Sequence, residues 1–248
     1  MAVTSKLHKL TELAKEKSSE RRRTLLREVT DLFFDAPPRA GGGEMRQFDA
    51  VMQTLASQTA QDAREELSRR FADASMAPKG LVMQLARDAI EVAGPILSRS
   101  GVLTEDDLVT IVHERGQAHM RAIAERDQVP ERVSHAIVER GDDATVAGLV
   151  ENPGAKLSRE TFETVSRRAE QSEVLQAPLV ERADTPADLL NDLMMVVEST
   201  LREKIMERFD SLEPGVLEAA LTASHQRLES RLAEDRDIAE ARRFIQAR

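Results

Sequence analysis

The sequence predicts an all-α chain, an α-solenoid of short helix pairs recurring about every 28 residues. Three observations predict it. The core must be filled by Leu, Val, Ile, Ala and Met, because there are seven Phe, no Trp and no Tyr. β-branched and aromatic residues nowhere cluster in alternating runs, so no segment reads as a strand. And the chain resembles itself: Ile96-Leu97-Ser98-Arg99, Ile123-Ala124-Glu125-Arg126, Leu149-Val150-Glu151-Asn152 and Leu179-Val180-Glu181-Arg182 end alike, 27, 26 and 30 residues apart.

Residues 4–35 read as one or two amphipathic helices, with Leu7, Leu10, Leu13 and then Leu25, Leu26, Val29, Leu32 and Phe33 on the apolar side. Pro37-Pro38 and Gly41-Gly42-Gly43 stop them in a linker. Phe48, Val51, Met52 and Leu55 resume helical spacing, and Leu67-Ser68-Arg69-Arg70 is a fainter member of the repeat. Each member is followed by a polar break and a helix start at Pro78, Thr104, Pro130, Ser158 or Thr185-Pro186. Thr185 with Pro186 at the first helical position is a favoured start, and Asp107 and Asp188 stand where a capping box with Thr104 and Thr185 needs them. Gly141-Asp142-Asp143 and Asn152-Pro153-Gly154 mark turns. Leu189 to Phe209 reads as one long helix, and Pro214 interrupts the pattern after it. Val216 to Arg248 carries Leu217, Leu221, Leu228, Leu232, Ile238 and Ile245 amid dense charge that includes Arg231, Asp235 and Arg242. That segment suits packing back on the repeats or homodimerisation through C-terminal helices. The expected organisation is 1–44, N-terminal helices and linker; 45–212, helical repeats; and 213–248, a C-terminal helical segment.

A lone helix pair cannot bury its apolar face and must stack on neighbours. The run from Leu85 through Ala93-Gly94-Pro95-Ile96-Leu97, with Leu103 and Asp107-Leu108 after it, resembles the HEAT-like repeat pattern. It also resembles a bacterial family of uncharacterised proteins, a domain of unknown function. Ala122-Ile123-Ala124-Glu125-Arg126 and Glu151-Asn152-Pro153-Gly154-Ala155 continue the likeness over roughly residues 45–195. The resemblance implies a fold and carries no activity.

Composition narrows the function classes. Hydrophobic residues at 41% and charged residues at 32% suit a folded chain. With no cysteine there is no disulfide, thiolate nucleophile or Cys-ligated zinc, which fits a reducing compartment. The start, Met1 to Lys6, is polar and no apolar run of signal length follows it; the longest apolar stretch, Leu189 to Val197, is broken by Asn191 and Asp192. A cytoplasmic protein with no membrane segment is the expectation. A net charge of −9 weighs against nucleic acid as the partner, and base capture would want aromatic side chains that are scarce here. Residues 1–28 are the basic exception, with eight Lys or Arg against four Glu and the run Arg21-Arg22-Arg23.

No catalytic signature emerges. The histidines are His8, His113, His119, His135 and His225, without an HExxH spacing. Taken as one helix, six residues separate His113 from His119 and place them on different faces. No Gly-rich phosphate loop or nucleophile elbow is present; acids such as Glu105-Asp106-Asp107 suit helix starts. Neither a cofactor nor a metal is expected. Ser224-His225-Gln226-Arg227-Leu228 faintly resembles the phospho-accepting segment of histidine kinases. Arg99, Arg126 and Arg182, with Arg70, occupy equivalent positions near helix C-termini. They can bond neighbouring carbonyls or acids such as Asp127 and Asp184 as a ladder, or face a ligand as a basic stripe. The sequence therefore points to a non-catalytic scaffold or regulatory adaptor with a protein partner, and Arg99, Arg126, Arg182, Arg21, Arg22 and Arg23 are its candidate contact residues. The alternative is a signalling component with a phosphotransfer or phospho-reading role; a nucleic-acid-binding repeat protein comes third.

Overall fold

Fourteen helices and no strand make up the described residues, 18–39 and 42–246, of the computed structural model, with side chains described as far as Ala233. His8 and Leu7, Leu10 and Leu13 lie outside the described residues, as do the side chains of Asp235, Ile238, Arg242 and Ile245. The helices are α1 (Ser19–Asp35), α2 (Gly43–Ser57), α3 (Gln61–Ala72), α4 (Lys79–Ala86), α5 (Ile90–Arg99), α6 (Glu105–Glu114) and α7 (Gln117–Ala124). They continue as α8 (Glu131–Arg140), α9 (Asp143–Glu151), α10 (Arg159–Ala169), α11 (Glu173–Glu181), α12 (Ala187–Leu193), α13 (Ser199–Asp210) and α14 (Pro214–Gln246). Contacts divide the chain into two units, one of Met1–Thr145 with Gly154–Lys156, the other of Val146–Pro153 with Leu157–Arg248.

In the first unit most helices pack on the next but one: α1 on α3, α2 on α4, α3 on α5, α5 on α7 and α6 on α8. This follows from helices of 8 to 12 residues over Gln61–Arg140, each too short to bury its apolar stripe against a single partner. Phe33, Phe48 and Phe71 meet at ring separations of 5.4 and 5.3 Å and are fully buried, seeding the core of α1–α3. Leu81, Leu85, Ile96, Leu97, Ile111 and Ile123 carry that core along the unit. Polar anchors fix the register. Buried Ser68 donates to the Val92 carbonyl (2.5 Å), and the Asp49 carboxylate accepts from the N–H groups of Gly80 (3.0 Å) and Leu81 (2.7 Å) at the start of α4. A Cβ on Gly80 would lie 2.7 Å from an Asp49 oxygen, so glycine is what lets the carboxylate approach. One isolated parallel bridge, Val129 with Ala155, ties Gly154–Lys156 to this unit.

In the second unit α10 packs on α12, α11 on α13 and α12 on α14. Leu175, Leu179, Leu189, Leu190, Leu193 and Ile205 form its core.

Several helix starts lie where the sequence places them. Pro78 and Pro130 precede α4 and α8; Thr104 forms a full capping box with Asp107; and Ser158 accepts from Thr161 N–H at 3.1 Å. Three expectations need correction. Thr185 does not cap α12: its buried hydroxyl donates to the Leu179 carbonyl (2.7 Å), closing the end of α11, and Pro186 takes the N-cap position. Leu189 to Phe209 is not one helix but α12 and α13 around a turn, where Arg202 donates to the carbonyls of Met194 (3.0 Å) and Val197 (3.1 Å). The guanidinium satisfies carbonyls that a continuous helix would have bonded itself. His113 and His119 sit on different helices, α6 and α7, so a single helical wheel does not relate them.

Candidate functional site

The recurring arginines reach backwards along the chain. Arg126 donates to the carbonyls of Leu97 (2.6 Å) and Ser100 (2.9 Å), at the end of α5. Arg140 donates to Val112 near the end of α6 (3.2 Å). In the second unit Arg182 donates to Val150 (2.8 Å) and Asn152 (2.7 Å), at the end of α9, and holds Asp184 at 2.7 Å. Arg208, which the repeat pattern did not single out, gathers the carbonyls of Val180 (3.1 Å), Arg182 (3.0 Å), Ala183 (2.9 Å) and Thr185 (3.2 Å). Each rung spans 23 to 32 residues, about one helix pair, and caps carbonyls that have no intrahelical partner. Burial pulls the guanidiniums of Arg126 and Arg208 below the ordinary arginine range, with Asp127 and Asp184 opposing the shift. Arg99 differs: it is half exposed and pairs with Asp73 at 2.9 Å. Arg70 pairs with Asp31 at 2.7 Å.

The basic run on α1 meets acids of α3. Arg23 bonds Asp62 at 2.7 Å, and Arg27 forms a forked pair with Glu66, its Nη2 at 2.7 Å. The Arg21 N–H donates to Ser18 Oγ at 3.5 Å, and Arg22 also lies on α1. Arg21, Arg22 and Arg23 belong to the first unit, and Arg182 and Arg208 to the second.

The densest polar constellation is one that the sequence reading missed. Asp188 and Asp192, one turn apart along α12, face Arg227 of α14, whose Nη1 bonds Asp188 and whose Nη2 lies 2.9 Å from Asp192. Arg159 at the start of α10 closes on Asp188 from the other side, its Nη1 at 2.8 Å. Fully buried Ser224 donates to Asp192 (2.5 Å) and accepts from Asn191 Nδ2 (2.8 Å). One helical turn on, Arg231 grips Glu170 through two 2.7 Å bonds. Burial pushes the Asp188 carboxyl up, but the bonds from Arg159 and Arg227 outweigh it and hold it below the usual carboxylate range; the same bonds raise Arg159. The spacing was a partial signal: Asp188 and Asp192 share one face of a helix at i, i+4, and so do Arg227 and Arg231, although Arg231 finds its acid in Glu170 rather than on α12.

A cleft of about 600 Å³ opens beside Arg182, lined by Val150, Glu151, Pro153, Pro178, Glu181, Ala183 and Asp184. Glu181 pairs with Lys204 (2.5 Å). The histidines are dispersed: His119 bonds the Asp88 carbonyl (2.9 Å), His135 lies 3.6 Å from Glu139, and His225 lies 3.6 Å from Glu229 on α14. Among the described residues no three His, Asp or Glu side chains converge as metal ligands, and no helix is long and apolar enough to cross a membrane.

These features define an all-α protein of short, mutually packed helices cross-braced by arginine. The chain belongs to a family of uncharacterised proteins conserved in bacteria (DUF2336), which it matches over residues 92–248. That span begins within α5 and takes in α14, so it starts later and ends later than the likeness read from the repeats. No curated protein and no solved structure shows a significant match.

Proposed function

We propose that this protein is a non-catalytic interaction scaffold or regulatory adaptor, its helix pairs stacked in the manner of HEAT-like repeats to present a binding surface to a protein partner. The observation that carries the reading is the rung pattern. Within each unit, arginines one helix pair downstream cap the helix ends upstream, at spacings of the sequence repeat. Such bracing commits cations to architecture and leaves helix faces available for contact, while the polar constellations described above are ion pairs and caps. The cleft beside Arg182, lined by two prolines and the carboxylates of Glu151, Glu181 and Asp184, suits a short segment carrying basic side chains.

The test is crosslinking mass spectrometry on the tagged chain in its native cells. The expected result is one reproducible protein partner whose crosslinks fall on one helix face and disappear with Glu151→Arg. Enrichment of no protein would overturn the proposal.

The signalling alternative has one supporting observation: His225 is 73% exposed, as a phospho-accepting imidazole must be. It requires acid-labile phosphorylation that is abolished in His225→Ala.

A further inference from the structure

α14 is built inside out. Its inward residues are Ala220, Ser224, Arg227 and Arg231, spaced 4, 3 and 4; Ala220 and Ser224 are buried and the arginines bond Asp188, Asp192 and Glu170. Its outward residues Leu221, His225, Leu228 and Leu232 have the same 4-3-4 spacing. These leucines are 45%, 46% and 64% exposed. At 100° per residue the four outward positions fall within about 60° of the helix circumference, forming a straight seam. A helix that only had to dock on its own unit would turn its leucines inward and its arginines to water. Here the docking is ionic, and the apolar seam is left facing out.

We propose that this seam is the self-association surface of the protein, and that α14 pairs antiparallel with α14 of a second copy. The spacing 4-3-4 reads the same in both directions, so a two-fold axis between His225 and Leu228 brings every layer into register. Leu221 then meets Leu232 of the second copy, and His225 meets its Leu228. Parallel pairing would instead set one His225 against the other in a single layer.

Charge favours an identical chain over a charged foreign one. Arg231, which borders the seam, and Arg227 behind it are already neutralised in cis by Glu170, Asp188 and Asp192. On the other edge, the antiparallel register sets Glu229 beside Thr222 of the second copy rather than beside its Glu229. The seam therefore holds no uncompensated cation to select an acidic partner, and no like-charge pair within its four layers. Four layers make a small interface, so association is weak and concentration-dependent.

The inference stands apart from the scaffold reading: a monomeric scaffold would leave that reading intact, and a dimer that captures no partner would leave this one intact. The experiment is sedimentation velocity on the full chain from about 1 to about 200 µM, the range a small interface implies. The expected result is a shift from the 27.6 kDa monomer towards twice that mass. Leu228→Asp with Leu232→Asp should abolish the shift with unchanged far-UV circular dichroism, because both residues are exposed. His225→Leu should tighten association at least tenfold. Because the chain has no cysteine, engineered thiols report the register directly. Leu221→Cys mixed with Leu232→Cys should crosslink on oxidation, and neither should crosslink alone, its thiols lying about 16 Å apart along the axis. A single monomer mass at every concentration, a dimer indifferent to the aspartates, or a crosslink from Leu221→Cys alone would overturn the proposal.

Discussion

The two terminal helix trios solve the same problem in opposite ways. In α1–α3, Phe33, Phe48 and Phe71 interlock and the charges lie outside, where Arg23, Arg27 and Arg70 pair with Asp62, Glu66 and Asp31 at the surface. In α12–α14, Leu189, Leu190 and Leu193 of α12 are buried, but α14 docks through charges around Asp188 and Asp192 while its own Leu221, Leu228 and Leu232 face out. The first arrangement gains from apolar burial, which needs no particular geometry. The second depends on every donor finding its acceptor, because a buried charge that loses its partner costs more than the intact pair contributes. A trio sealed by phenylalanine is finished, whereas one whose last helix turns its leucines to water has surface left to offer.

The sharpest way to break the contrast is at its two centres. Phe48→Ala should cost about 4 kcal/mol, read from denaturant unfolding monitored in the first unit, because it empties a fully buried aromatic site. Asp188→Ala should cost about 3 kcal/mol and release α14, seen as accelerated amide exchange across residues 216–231. If Asp188→Ala leaves exchange in α14 unchanged, ionic docking is not what holds that helix.

Acid provides a graded version of the same comparison. Asp88 in the first unit is pushed up by burial yet held below the ordinary range by Arg64 (2.5 Å) and the Ala89 N–H (2.8 Å), and Asp188 is held low by two arginines. A carboxyl depressed on folding stabilises above the unfolded Asp pKa of about 3.9 and loses that contribution as pH falls through its folded value. Both units should therefore weaken below about pH 4, and Asp188→Asn should flatten the profile of the second alone. Denaturant midpoints at a series of acid pH values check this. At the small end, Leu221→Ser should change stability by no more than about 0.5 kcal/mol, because an exposed side chain loses little on truncation.

The helical class and many helix starts were legible because they depend on local chemistry. Thr104 with Asp107, and Ser158 before α10, announce themselves within four residues. Where tertiary partners compete, local reading failed. Thr185 and Asp188 have capping-box spacing, but the Leu179 carbonyl claims the one and two arginines claim the other. The break between α12 and α13 was invisible because Leu190, Leu193, Val197, Leu201 and Ile205 keep helical spacing through the turn, and Val197 is buried there as if the helix continued. The equivalent arginines were visible as a pattern, but which carbonyls they reach is set by stacking. The Asp188 constellation was hardest to see, since its members come from α10, α12 and α14 and only the i, i+4 spacings hint at it.

The backward reach of the rung arginines also sets an order of events during synthesis. The end of α5 lacks its outer hydrogen bonds until Arg126 has left the ribosome, and the end of α11 waits in the same way for Arg208. Each helix end so capped is closed only after a further 23 to 32 residues have been made, so these closures trail translation by about one helix pair. A loop lengthened between a rung and its target would delay a single closure and leave the others on time.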